Sequence, residues 1–209
     1  MTGPADHAVR CGRARIPLAL LLGALLCAGA RPARALAASA AAAPTQGAPA
    51  SPRERYQKRF TGKPAPDFSL YDLGGKTVSL SKERGNVVLL NFWYSSCVPC
   101  RRETPDLATL FRTYSPHGFM ILGVNLDDLL IPDAGGASLK VFLQEFQPPY
   151  PILLGSNEVM EAYGGVPVQP ISFLIDRQGI VTKVFWGAYP GAVFEKAIRA
   201  QIEGAAPPR

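Results

Sequence analysis

Residues 87–100 read VVLLNFWYSSCVPC, and this segment decides the fold of the chain. Its first half, from Val87 to Trp93, is apolar on both faces of a strand, which is typical of a buried strand at the centre of a sheet. Cys97-Val98-Pro99-Cys100 follows where a helix is expected to begin, and Pro99 suits a first helical turn because its missing N–H costs nothing there. The segment therefore predicts a strand that delivers two cysteines, three positions apart, to a helix start.

Two cysteines in this setting point to dithiol–disulfide chemistry. The thiolate is the reactive form, and the unpaired N–H groups at a helix N-terminus favour its negative charge. Cys97 is therefore expected to be the exposed attacking thiol, and Cys100, one turn further on, the resolving partner. The alternatives are half of a zinc site or two core cysteines. A closed zinc site needs four ligands, whereas the chain has only His7 and His117 besides and no second Cys-x-x-Cys pair.

The first 37 residues are typical of an export signal and not of a folded domain. Arg10, Arg13 and Arg15 precede an apolar run at 16–30, and small residues that suit a processing site follow at 33–37. The run is about fifteen residues long, shorter than the roughly twenty that cross a bilayer. Cleavage is therefore expected, with an uncleaved membrane tether as the alternative. Either outcome predicts a periplasmic or otherwise extracytoplasmic protein.

Charge and cysteine usage narrow the classes of function. The net charge is +6, but residues 1–37 hold five arginines and one aspartate, which leaves 17 basic and 15 acidic residues in the rest. This balance gives no argument for nucleic acid or for a strongly charged partner. Cys11 and Cys27 lie in the leader, so cleavage leaves Cys97 and Cys100 alone. Because this pair is too close in sequence to gain much stability from loop closure, its reactivity is the better explanation.

The chain after the leader divides into a spacer, one domain and a tail. Residues 38–62 begin with Ala, Pro, Gly and Ser in no hydrophobic period, and they predict a flexible spacer that holds a short solvated helix at 53–59. The folded domain is predicted at residues 63–203, a length that suits one core. Residues 204–209 form the tail.

Hydrophobic periodicity within the domain predicts an α/β fold. The predicted elements are a hairpin at 67–80, a strand at 87–93, a helix at 98–114 kinked at Pro105, a strand at 119–125, helices at 138–146 and 158–163, a strand hairpin at 171–186 and a helix at 192–202. Two strand–helix–strand passages that lead to a hairpin and a terminal helix describe an α/β sandwich around a mixed sheet, preceded by an N-terminal β-hairpin.

Two stretches of the chain resemble a known family. Residues 91–100 resemble the active-site segment of thioredoxin-fold proteins, and residues 170–176, PISFLID, are similar to their cis-proline loop and the strand after it. Together with the hairpin before the first core strand and with Glu103, these stretches look most like the TlpA/ResA family of exported, often membrane-tethered thiol–disulfide oxidoreductases. The resemblance covers residues 63–203 and implies a thioredoxin-like three-layer sandwich.

The resemblance also implies which residues form the site. Cys97 is implied as the nucleophile and Cys100 as the resolving thiol. Pro170 is implied to follow a cis peptide bond beside the pair, where it orients the substrate backbone. Pro167 is the alternative if the register differs, and an ordinary trans proline that opens a strand is the other interpretation of Pro170.

Glu103 is the candidate for proton transfer. It lies three residues after Cys100 and shares its helix face. A carboxylate there can take or give a proton during thiol exchange, while the alternative is an ordinary surface glutamate. Asn91 stands where thioredoxins have an acid, and because an amide does not titrate, proton handling is expected to fall to Glu103 or to water. Ser96 stands where family members often have Trp, which is expected to leave Cys97 less covered.

Disulfide exchange is the resulting hypothesis. The Cys97 thiolate attacks a protein disulfide, and Cys100 then displaces the product. This exchange implies an upstream dithiol donor in the cell envelope and no metal or organic cofactor. A monomer without a nucleic-acid partner is expected. The family resembles the reductases of cytochrome c maturation, so the substrate is expected to be a protein disulfide in the envelope.

Two other functions were weighed against this one. A peroxiredoxin-like thiol peroxidase would require Pro and Thr where Leu90 and Tyr94 stand. A thiol-bearing adaptor that delivers haem or metal is the second alternative, and Met120 and Met160 form no Met-rich ligand set to support it.

Overall fold

The computed structural model describes residues 49–132 and 135–204. The predicted leader at 1–37, the first part of the predicted spacer and the end of the predicted tail lie outside these residues. Within the described ranges, no helix combines the length and the apolar character that a membrane span requires.

The described chain contains both helices and strands. In order they are α1 (Pro52–Phe60), β1 (Ser69–Tyr71), β2 (Thr77–Ser79), β3 (Val87–Trp93), α2 (Val98–Tyr114), β4 (Phe119–Asn125), α3 (Asp127–Leu130), α4 (Gly135–Phe146), β5 (Ile152–Leu154), α5 (Asn157–Ala162), β6 (Ile171–Ile175), β7 (Val181–Trp186) and α6 (Gly191–Gly204). Short 3-10 helices at Leu80–Glu83 and Ser115–His117 precede β3 and β4.

The central sheet is mixed and has the strand order β5-β4-β3-β6-β7. Strand β3 pairs in parallel with β4 and antiparallel with β6, while β5 and β7 lie at the edges. All seven residues of β3 are buried, as expected for a central strand that is covered on both faces. The predicted α/β sandwich around a mixed sheet is confirmed.

Two hydrophobic clusters lie on opposite faces of this sheet. Val88, Leu90 and Phe92 of β3 join one cluster and Val87, Leu89 and Trp93 join the other, because successive strand side chains point to opposite faces. Helices α1 and α5 contribute to the first cluster, and α2, α4 and α6 to the second. The helix that carries Cys100 is therefore packed against the sheet along its length.

Both edges of the sheet are covered by other parts of the chain. At β5, the N–H of Leu73, in the turn of the β1–β2 hairpin, donates to the carbonyl of Ile152 at 3.2 Å. At β7, Val181 exchanges backbone hydrogen bonds with the segment after α1, donating to Lys63 O at 2.9 Å and accepting from Gly62 N at 2.8 Å. The predicted N-terminal hairpin is confirmed, and it protects an edge strand.

Helix α1 packs on the domain, so the predicted spacer at 38–62 is wrong for this part of the chain. Tyr56 and Phe60, which are 9% and 5% exposed, join the first hydrophobic cluster. The Tyr56 hydroxyl donates to the carbonyl of Tyr163, and the Gln57 amide donates to the carbonyl of Val184 at 2.9 Å. The i,i+4 spacing of Tyr56 and Phe60 places both rings on one helix face. The four basic residues of α1 made the segment look solvated, so this apolar face was not predicted.

Two short elements were not predicted from the sequence. Helix α3 has four residues and strand β5 has three, and each is too short to show a period of its own. The remaining helices agree with the prediction to within a few residues at their ends, and α2 continues through Pro105.

Candidate active site

Cys97 and Cys100 lie where β3 gives way to α2, and they form a disulfide with Cα atoms 5.2 Å apart. Cys97 is the N-cap residue of α2: its Sγ accepts a hydrogen bond from the backbone N–H of Cys100 at 3.2 Å. Its carbonyl accepts the first helical bond, from the N–H of Arg101 at 3.0 Å. A sulfur in this position faces N–H groups that have no partner within the helix, and these groups favour a thiolate once the disulfide is reduced.

The disulfide is buried, so the expected exposure of Cys97 is wrong for this oxidised state. Cys97 is 2% exposed and Cys100 is 3% exposed. Ser96 itself is exposed, but the expectation that it leaves Cys97 less covered is wrong in this state. Cys100 lies on the buried face of α2, and the bond to it draws the Cys97 side chain into the hydrophobic cluster that includes Trp93. The exposed residues of the motif are Val98, at 57%, and Pro99.

The peptide bond between Gln169 and Pro170 is cis, whereas the bond before Pro167 is not. Pro170 comes directly before β6, and Ile171, the first residue of that strand, pairs with Phe92 of β3. Because β3 continues from Phe92 toward Cys97, this register places Pro170 at the same end of the sheet as the disulfide.

Glu103 is 3% exposed, which excludes the alternative that it is a surface glutamate. Its Oε1 accepts a hydrogen bond from Asn91 Nδ2 at 3.2 Å, and its Oε2 accepts one from the backbone N–H of Tyr189 at 3.1 Å. The same Asn91 amide donates to Ser172 Oγ at 2.9 Å. One helical turn separates Glu103 from Cys100 along the same face of α2.

Burial raises the pKa of Glu103 to about 7. Removal from water disfavours the charged carboxylate, and this effect outweighs the hydrogen bonds from Tyr189 and Asn91, which lower the pKa. The negative charge of Asp106 adds a smaller upward shift. A carboxyl group with a pKa near 7 can both accept and release a proton at the pH where thiols react.

Glu103 reaches solvent through a cleft of about 290 Å³. The other residues that line the cleft come from α2 and from the segment between β7 and α6: Arg102, Asp106, Ala188, Tyr189 and Pro190. The cleft gives an otherwise buried carboxyl group a route for proton exchange with water.

The role of Asn91, whose amide donates to both Glu103 and Ser172, was not predicted from the sequence. Asn91 and Ser172 are paired in the register of β3 and β6, and each is the polar residue within an otherwise apolar strand. A polar residue in the middle of a buried strand needs a hydrogen-bond partner, and this was the available signal.

The described ranges contain no group of three or more His, Cys, Asp or Glu side chains that is arranged to hold a metal ion.

A mixed sheet with a disulfide at a helix start and a cis-proline at the same sheet end defines a thioredoxin-like redox protein. A family model described as the AhpC/TSA family matches residues 61–184. The thiol-disulfide oxidoreductase ResA of Geobacillus thermodenitrificans is 38% identical over 127 residues, which are 60% of this chain and 69% of that protein. ResA of Bacillus subtilis is 34% identical over 127 residues, 60% of this chain and 67% of that protein.

A solved structure supports the same assignment. A thiol:disulfide interchange protein of the thioredoxin family from Chlorobium tepidum TLS has a TM-score of 0.60 at 27% identity, over 68% of this chain and 97% of that one. The chain belongs to the AhpC/TSA family, as a TlpA/ResA-like thiol–disulfide oxidoreductase with a thioredoxin-like fold. The predicted family, fold class and enzyme class are confirmed.

Proposed function

We propose that the protein reduces disulfides of other proteins outside the cytoplasm, and that Cys97, Cys100, Glu103 and Pro170 are its catalytic residues. The observation that carries the proposal is the position of Cys97 Sγ on the N–H of Cys100 at the start of α2. A thiolate formed there is stabilised and close to its resolving partner, which is what exchange requires.

Exchange proceeds in two displacements. The Cys97 thiolate attacks one sulfur of the substrate disulfide, forms a mixed disulfide and releases the first substrate thiol. Cys100 then attacks Cys97 Sγ, which releases the second substrate thiol and leaves the Cys97–Cys100 disulfide. Two electrons and two protons pass to the substrate, and an upstream dithiol donor returns the pair to the reduced state.

Glu103 serves the second displacement. Cys100 must lose its proton before it attacks, and Glu103 lies one turn away with a pKa of about 7. The carboxylate accepts the proton and passes it to water through the cleft that it lines. Pro170 lies at the same end of the sheet, where it contacts and orients the substrate backbone.

The location and pathway rest on the sequence. A basic segment, an apolar run at 16–30 and small residues at 33–37 support export, with or without retention as a membrane tether. The resemblance to the TlpA/ResA family supports a place in cytochrome c maturation, where a monomer would reduce a protein disulfide in the envelope.

Trapping of partners tests the proposal. The variant Cys100→Ser cannot complete the second displacement, so it should accumulate mixed disulfides with envelope proteins. Reduction with dithiothreitol should release the trapped proteins. Cys97→Ser is the matched control and should trap nothing. If Cys100→Ser captures no protein while hydrogen peroxide rapidly oxidises its Cys97, a thiol peroxidase replaces the reductase.

A further inference from the structure

Asp127 is a buried carboxylate that the exchange steps above do not use. It is 1% exposed and lies at the start of α3, directly after β4. A carboxylate without water is costly unless hydrogen bonds replace its hydration. The donors that supply those bonds therefore show what the side chain holds in place.

Two of the three donors to the Asp127 carboxylate belong to one residue, Ser95. Oδ1 accepts from the backbone N–H of Ser95 at 2.7 Å and from Asn125 Nδ2 at 3.1 Å, and Oδ2 accepts from Ser95 Oγ at 2.5 Å. Asn125 in turn accepts from the N–H of Asp127 at 3.2 Å. The carboxylate of Asp127 thus binds both the backbone and the side chain of Ser95, which is 32 positions earlier in the chain.

Ser95 belongs to the loop that carries Cys97 from the sheet to the helix. The carbonyl of Trp93, at the end of β3, accepts from the N–H of Leu126 at 2.8 Å, so the loop is bound to the segment before α3 on that side as well. The carbonyl of Ser95 accepts from Arg101 Nη1 at 3.2 Å, which connects the loop to the first turns of α2.

Two different constraints act on Cys97: the disulfide in the oxidised protein, and the hydrogen bonds between Asp127 and Ser95 in both redox states. In the oxidised protein the bond to Cys100 fixes the sulfur of Cys97 to α2. Reduction breaks that bond, and the backbone of Cys97 is then held by its carbonyl bond from the N–H of Arg101 and by the loop that leads to it, which Ser95 anchors.

We propose that Asp127, acting through Ser95, is a positioning residue that keeps the reduced Cys97 thiolate on the N-terminus of α2. This inference rests on the proposed function, in which Cys97 is the nucleophile. Asp127 touches no substrate; its effect is on the fraction of Cys97 that is ionised and ready to attack.

Alkylation of the reduced full chain tests the proposal. Iodoacetamide is added between pH 5 and pH 9, and modification of the peptide that contains Cys97 is followed by mass spectrometry. Asp127→Ala releases the loop, so alkylation at pH 7 should slow about tenfold, the scale of a lost helix N-terminal contribution, with the midpoint of the rate–pH profile moved to higher pH. Asp127→Asn keeps an oxygen that can accept from the N–H of Ser95 and places an amide N–H where it can donate to Ser95 Oγ, so it should restore most of the rate.

Ser95→Ala provides a milder variant if Asp127→Ala does not fold. It removes the hydroxyl bond and keeps the backbone bond, so alkylation should slow about threefold.

Asp176→Ala is the matched control. The carboxylate of Asp176 accepts from the N–H groups of Gln178 and Ile180 at 3.0 and 2.8 Å in the β6–β7 turn, at the opposite end of the sheet. It should lower stability without changing alkylation of Cys97.

The other charged groups next to the loop are unchanged in all four variants. These groups are Arg101 and Glu103 on α2 and Glu145 on α4, which pairs with Arg101. An alkylation rate that stays constant in Asp127→Ala overturns the proposal. So does a rate that rises equally in Asp127→Ala and Asp127→Asn, since the carboxylate would then act through its charge. If either result appears while Cys100→Ser still traps partners, the positioning role fails and the proposed function stands.

Discussion

At the scale of single residues, Glu103 is an acidic side chain in an unusual environment. Its carboxyl group is buried, accepts two hydrogen bonds and sits one turn from Cys100. The same burial that raises its pKa to about 7 must also be visible in the stability of the protein.

Glu103→Gln should remove a pH dependence of stability. The pKa is raised from 4.5 in the unfolded chain to about 7 in the folded one, so the folded state holds more protons between these values. This preferential protonation stabilises the folded state fully below pH 4.5, and the stabilisation is lost as the pH rises through 7. The free energy of unfolding should therefore fall by about 3 kcal/mol across this range. Urea unfolding of wild type and Glu103→Gln at pH 5 and pH 9 measures it; an equal pH dependence in both proteins contradicts the assignment.

The same variant tests proton transfer. With no titratable group beside Cys100, release of product from the mixed disulfide should slow about a hundredfold at pH 7 and lose its inflection near that pH. Stopped-flow measurement of the second displacement separates this effect from the first attack by Cys97, whose rate should change little.

At the residue scale the sequence supported the choice of Cys97, Cys100, Glu103 and Pro170, since each belongs to a local motif or a stated resemblance. It did not reveal the contacts of Glu103 with Tyr189 or of Asp127 with Ser95. These contacts join residues that are 86 and 32 positions apart, and the identity of such partners is set by strand register and helix packing.

At the scale of elements, the strand–loop–helix unit from β3 to α2 was predictable and α1 was not. Strand β3 is apolar except for Asn91, and α2 has a long helical period, so the local sequence pattern is sufficient to predict both elements. Helix α1 has nine residues and a strongly polar composition, and its two buried rings find their partners only in the folded domain. Tertiary packing here overrides the solvated character that its charges suggest.

Phe60→Ala should show that α1 is part of the core. The ring packs against Phe173 with centroids 5.2 Å apart, and its removal should cost about 3 kcal/mol of stability. Lys58→Ala, an exposed change on the same helix, should shift stability by less than about 0.5 kcal/mol. Guanidinium unfolding of both variants measures the difference. If Phe60→Ala changes stability as little as Lys58→Ala does, α1 is not part of the core and the spacer prediction is right.

At the scale of the whole molecule, one sheet joins two hydrophobic clusters that hold one tryptophan each. Trp186 packs beside Tyr56 of α1 with ring centroids 5.0 Å apart, and Trp93 packs beside Phe142 of α4 at 4.3 Å. Because β3 contributes to both clusters, neither face can lose its packing without the other. The arrangement predicts a single cooperative transition.

The two tryptophans allow this to be measured. Fluorescence of Trp93→Phe reports on the face that includes α1, and fluorescence of Trp186→Phe reports on the face that includes the disulfide. In each variant the fluorescence midpoint should coincide with that of far-ultraviolet circular dichroism recorded on the same sample. A fluorescence transition that precedes the loss of helix in Trp93→Phe would mean that α1 separates first.

The covered edges of the sheet restrict how another polypeptide can approach. Backbone groups at the start of β7 are bonded to the segment after α1, and those of β5 face the β1–β2 hairpin. A polypeptide that approaches these two edges therefore meets backbone groups that are already bonded, which disfavours its addition as a further strand. The same contacts oppose edge-to-edge pairing between two copies of the chain, and with it the growth of a continuous sheet.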